Sequence, residues 1–89
     1  MSWRIETKPS AEKQYLRLDR RTRRRIKEAL RDLEGVDDPL RHPKVRPLVG
    51  KLHGDFRLRM GNWRVLFTPD KEQEVLHVYA IIPRGDAYK

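Results

Sequence analysis

The twelve residues Phe56-Arg57-Leu58-Arg59-Met60-Gly61-Asn62-Trp63-Arg64-Val65-Leu66-Phe67 constrain the fold more than any other part of the chain. Apolar residues take alternate positions on both sides of Gly61-Asn62, a pair suited to the two-residue loop of a type I′ or II′ hairpin. That turn fixes the register. Met60 faces Trp63, Arg59 faces Arg64, Leu58 faces Val65 and Arg57 faces Leu66. Phe56, Leu58, Met60, Trp63, Val65 and Phe67 then point to one side, which must be covered by helices, while Arg57, Arg59 and Arg64 point to the other, open side. Like charges directly opposite one another in a sheet are destabilising, so a chain built only for stability would not set Arg59 across from Arg64. Something anionic is expected there; the plainer alternative is that arginines merely solvate an outer sheet face.

The same alternation begins upstream at Leu48, Gly50 and Leu52, and a three-residue loop His53-Gly54-Asp55 would bring Lys51 beside Arg57 as a fourth cation of the open face. Downstream, Glu74 to Ile82 is nearly continuous apolar sequence, suited to the middle of a sheet. Trp3 to Thr7 predict a short first strand. Pro9 and Ser10 start a helix with Ala11, Tyr15 and Leu18 on one face, and Asp19 caps a second whose Ile26, Ala29, Leu30 and Leu33 follow helical spacing until Gly35 closes it. Val36 to Pro47, with three prolines and the adjacent Asp37 and Asp38, reads as an irregular connection. The expected architecture is α+β: an N-terminal strand, a helical hairpin, then a three-stranded antiparallel meander, with the helices packed on one face of the sheet. Residues 1–89 are expected to form one domain, since a chain this short has one small core to bury.

Charge narrows the function classes. Twenty-one Lys and Arg against thirteen Asp and Glu give a net charge of +8, which points to a nucleic acid first and an acidic protein second. A membrane partner is not expected, because the longest apolar run, Val78 to Ile82, falls far short of the about 20 residues of a span. The absence of cysteine excludes disulfides, thiolate catalysis and Cys-based zinc sites. His42, His53 and His77 make no metal-binding spacing, and no cofactor is implied. The first residues contain no signal-peptide core, so a cytoplasmic location is expected. A second cation cluster, Arg20, Arg21, Arg23, Arg24, Arg25 and Lys27, sits at a helix start, where the helix dipole disfavours positive charge. It is a candidate RNA-binding surface; the alternative is a solvated face eased by Arg24 with Glu28 at i, i+4.

Three stretches carry a family resemblance: Leu48-Val49-Gly50-Lys51-Leu52, the hairpin from Phe56 to Val65, and Pro83-Arg84-Gly85-Asp86-Ala87-Tyr88. Together they resemble the RelE toxins of the RelE/ParE superfamily, the ending being similar to archaeal members. The resemblance implies the toxin of a type II toxin–antitoxin system, a ribosome-dependent endoribonuclease that cuts translated mRNA. By position it implies catalytic roles for Arg57, Arg59, Arg64, Arg84 and Tyr88. Arg57 and Arg59 stand where some members carry lysine, and Pro83 where bacterial relatives often carry His. The implied partners are the ribosome and mRNA, a cognate antitoxin bound through an amphipathic acidic segment, and operator DNA only through the antitoxin complex.

Cleavage by 2′-hydroxyl attack on the adjacent phosphate needs a base, a stabiliser of the phosphorane charge and a proton for the departing oxygen. Arginines suit the second need, since their planar forks hold phosphate oxygens bidentately. For Tyr88 two roles stay open, general base and base-stacking ring. Two other functions share the fold: a ParE-like poison of DNA gyrase, disfavoured by Arg84 and Tyr88, and a non-catalytic module acting with its antitoxin on operator DNA.

Overall fold

Asp19 begins the longest helix by accepting the Thr22 N–H at 3.2 Å, and it also accepts the Thr22 hydroxyl. The hydroxyl first and the N–H second hold its carboxyl below the usual aspartate range. A negative N-cap sits well at the positive end of the dipole, all the more in front of a run of arginines. The computed structural model describes residues 3–50 and 54–86. Its elements are β1 (Arg4–Thr7), α1 (Pro9–Leu16), α2 (Arg20–Glu34), β2 (Val45–Pro47), β3 (Phe56–Met60), β4 (Trp63–Asp70) and β5 (Val75–Pro83), with single 3-10 turns at Pro39–Arg41 and Arg84–Asp86. Gly35 closes α2 in a right-handed conformation, so the left-handed closure that glycine permits is not used.

The strands form one sheet in the order β1-β5-β4-β3-β2, with β1 parallel to β5 and the other pairs antiparallel. β5 is internal, as its apolar composition requires. The β3–β4 register is the one the hairpin sequence dictates, from Met60 opposite Trp63 to Phe56 opposite Phe67. Gly61 has φ of 59° and Asn62 does not share a positive φ, which selects the type II′ turn. Ala11, Ile26 and Leu33 from the helices are wholly buried with Leu58, Val65, Phe67, Leu76 and Val78 of the sheet. Each of these side chains larger than alanine contributes about 1.5–3 kcal/mol by leaving water.

β2 corrects the sequence reading. Its three residues lie inside the stretch expected to be irregular, whereas Leu48 to Gly50 are not strand, and Leu52 lies outside the described residues. Val45 decides the matter: only 2% exposed, it pairs with Leu58 and joins the helix-side core. Pro47 cannot donate to a neighbouring strand, but β2 is an edge strand and tolerates it.

A bulge shapes β5. Leu66 pairs with Ala80 but Phe67 with Val78, leaving Tyr79 extra, so that Val78 and Ile81 both reach the core. The freed backbone groups are satisfied by α1, where the Ser10 hydroxyl donates to the Tyr79 carbonyl at 2.8 Å and Gln14 Oε1 accepts the Ile81 N–H at 2.7 Å. These bonds tie α1 to the strand whose end carries Arg84.

Candidate nucleic-acid interface

Strand pairing sets cations side by side on the sheet face turned away from the helices. Arg46 of β2 is opposite Arg57 of β3, and Arg59 is opposite Arg64 of β4. Arg46 was missed in the sequence because it lies in the proline-rich segment; the alternation Val45-Arg46-Pro47 is the signal that marks it. Arg59 is exposed and Arg57 half-buried, with its Nη1 donating to the Lys44 carbonyl at 3.1 Å. Lys51 and Tyr88 lie outside the described residues, as does His53.

Arg64 departs from expectation. Alternation puts it on the open side, yet it is only 7% exposed, and Leu66 two residues on is 4% exposed, so this part of the face is covered. The guanidinium folds over its own hairpin: Nη1 donates to the carbonyls of Gly61 and Trp63, each at 2.9 Å. Its Nε is buried and finds no partner among the described residues. A buried guanidinium with one donor unmet is costly, and an anion is the group that would complete it.

Arg84 arrives from the other direction. At the end of β5 its N–H donates to the Asn62 carbonyl at 2.9 Å, which fixes the start of the last 3-10 turn against the hairpin tip and leaves the side chain exposed. Both carbonyls of the two-residue turn are thus taken by arginines, Gly61 by the Arg64 side chain and Asn62 by the Arg84 backbone.

The nearest acidic residue in sequence, Asp55, is engaged elsewhere. Asp55, two residues before Arg57, accepts the Thr68 hydroxyl at 2.9 Å and the Tyr79 hydroxyl at 2.8 Å. Burial first and Asp55 second push the Tyr79 phenol above its usual range, so Tyr79 stays a proton donor. Among the described residues Arg4 pairs with Glu6 at 3.4 Å, and His77 Nδ1 lies 3.7 Å from a Glu6 carboxylate oxygen, at β1 and β5. His42 Nδ1 accepts the Lys44 N–H at 3.1 Å.

Two of the α2 cations go to different places. Arg20, Arg21, Arg24, Arg25 and Lys27 are exposed and Arg23 is half-buried. Lys27 lines a groove with Glu12, Tyr15, Leu30, Arg31 and Glu34, whereas the Arg25 guanidinium borders Gly61 at the hairpin tip.

Comparison with known families gives the geometry its context. Residues 5–88 match the family described as the ParE toxin of the type II toxin–antitoxin system parDE. The chain belongs to the ParE toxin family. No curated protein matches it. Among solved structures this toxin is similar to the archaeal RelE–RelB complex from Pyrococcus horikoshii, with 26% identity, 98% of this chain and 100% of that chain covered, and a TM-score of 0.77. The toxin–antitoxin complex RelBE2 from Mycobacterium tuberculosis gives 21% identity, 94% and 100% coverage and a TM-score of 0.81. The YoeB/ParE toxin from Agrobacterium tumefaciens gives 19%, 90% and 96%, and 0.73. The RelE-like fold implied by the family resemblance is therefore present, and this ParE-family chain is a type II toxin of the RelE/ParE superfamily. Among its described residues no helix is long and apolar enough to cross a membrane.

Proposed function

We propose that this toxin is an endoribonuclease that cuts translated mRNA on the ribosome, with Arg57, Arg59, Arg64, Arg84 and Tyr88 as its catalytic residues. The observation that carries the reading is the buried Arg64 guanidinium, held by the turn carbonyls with Nε unmet among the described residues. A donor fixed in advance in a poorly solvated place is worth more to a developing phosphorane than a mobile surface arginine, because no reorganisation is needed when charge appears. Arg64 takes one non-bridging oxygen, Arg57 and Arg59 flank it, and Arg84 approaches from across the tip. Arginine stays protonated, so it cannot be the base. Tyr88, two residues beyond the Arg84–Asp86 turn, takes the 2′-hydroxyl proton; the 2′-oxygen bonds to phosphorus, the bond to the 5′-oxygen breaks, and that oxygen takes its proton from water. The chemistry asks for no metal or other cofactor. Lys51 adds a further RNA contact.

The similarity to RelE–RelB complexes supports an antitoxin partner, and the net charge of +8 favours an acidic segment in it. Operator DNA is met only through that complex. The toxin works in the cytoplasm as one domain. A second reading, a poison of DNA gyrase, is favoured by the match to the ParE family.

One experiment separates them. The toxin is induced in cells, the 5′ ends of transcripts are mapped, and supercoiling by purified gyrase is assayed with added toxin. New ends within translated codons and unimpaired supercoiling are expected. Inhibited supercoiling without new ends would overturn the nuclease reading.

A further inference from the structure

Two cation clusters far apart in the sequence meet at the hairpin tip. A Cβ on Gly61 would stand 3.5 Å from Nη2 and 3.7 Å from Nη1 of Arg25, while the Gly61 carbonyl receives Arg64 Nη1 at 2.9 Å. The two guanidinium groups are therefore within about 11 Å of each other, the reach of those contacts and one residue's covalent skeleton. Arg84 is fixed at the next residue of the turn. Among the described residues none of the three has a carboxylate partner.

Arg25 comes from the helix layer and Arg64 from the strand face turned away from it. Their side chains leave from different layers, and both guanidinium groups reach the two-residue turn. Groups held at neighbouring points of one turn can be met by successive phosphates of a chain passing over it. Gly61, whose φ of 59° favours glycine, adds no side chain to that passage.

We infer that Arg25 belongs to the same site as Arg64 and Arg84: a single RNA strand crosses the hairpin tip, and Arg25 takes a phosphate flanking the one held by Arg64. The inference rests on the nucleic-acid reading of the arginine face. It also divides the α2 run, since Lys27 looks into the groove beside Arg31 rather than toward the tip.

The test uses a short single-stranded RNA with a 2′-deoxy residue at the cut, in which one phosphate at a time is made an uncharged methylphosphonate. Binding to the parent toxin is expected to weaken about tenfold at each of several adjacent positions, the size of a lost charged hydrogen bond. Arg25→Gln should lose that sensitivity at one terminal position of the run and keep it at the others. Arg25→Lys should retain it, and Arg31→Gln, on the same helix, should give the parent's profile; thermal melting checks that all are folded. A full parental profile in Arg25→Gln overturns the inference and leaves RNA binding standing. An altered profile in Arg31→Gln also overturns it, by making the effect one of general charge. A parent indifferent to every substitution removes the nucleic-acid reading itself.

Discussion

Replacing Arg64 with alanine should injure both the fold and the chemistry, and the two losses can be separated. The Nη1 bonds to the Gly61 and Trp63 carbonyls, both 2.9 Å, are charge-assisted, and each is worth about 1.5–3 kcal/mol. Against them stands the buried Nε, which has no partner among the described residues and whose removal returns about 1–3 kcal/mol. The bonds win by about 2 kcal/mol, which for a domain of this size lowers Tm by about 8–16 °C. Cleavage should fall at least a hundredfold, about 2.7 kcal/mol, through loss of a fixed donor to the phosphorane. Circular-dichroism melting gives the first number. Single-turnover cutting of ribosome-bound message, run well below both melting temperatures, gives the second. Arg64→Lys keeps charge but lacks the fork, and should recover part of the stability and little of the rate. An unchanged Tm for Arg64→Ala would refute the account of the tip, and full cutting by the folded variant would remove Arg64 from the site.

Two further outcomes follow from other residues. Tyr79→Phe removes the hydroxyl that donates to Asp55 and should cost about 1 kcal/mol at neutral pH. The folded phenol keeps its proton above the unfolded value of about 10, so this stabilisation is complete below about pH 10 and is lost as the pH rises past it. The Tm difference between parent and Tyr79→Phe should therefore shrink between about pH 9 and pH 11, and a constant difference would contradict the assignment. For Tyr88, proton transfer predicts that Tyr88→Phe slows cutting about a hundredfold to ten-thousandfold with ribosome affinity unchanged. Parental cutting by Tyr88→Phe together with slow cutting by Tyr88→Ala would instead make the ring a stacking surface.

What the sequence determined by itself was local and periodic. Gly61-Asn62 between alternating apolar residues specifies the hairpin, and side-chain alternation then forces Leu58 against Val65 and Arg59 against Arg64, because a slip of one residue would turn the apolar set outward. Asp19 and the spacing of Ile26 and Leu33 set α2 in the same way, through a cap and a period that need only near neighbours. Short segments carry less of this information. Val45–Pro47 became strand only because Leu58 and the helices offered Val45 a place to be buried, and that offer comes from residues distant in the chain.

The site divides along the same line. The roles proposed for Arg57, Arg59, Arg64 and Arg84 come from the family resemblance of the hairpin and the ending, and alternation tells only which side of a strand a residue leaves from. Whether Arg64 then meets water was decided by the tertiary structure, which curls its guanidinium onto the turn carbonyls beneath a covered face. The division of the α2 cations is likewise invisible in a run of like residues, because helical spacing cannot say which of them the packed sheet will bring to its tip. Packing α2 across the sheet set Arg25 against Gly61, and that meeting depends on a separation and crossing of elements that no local pattern encodes.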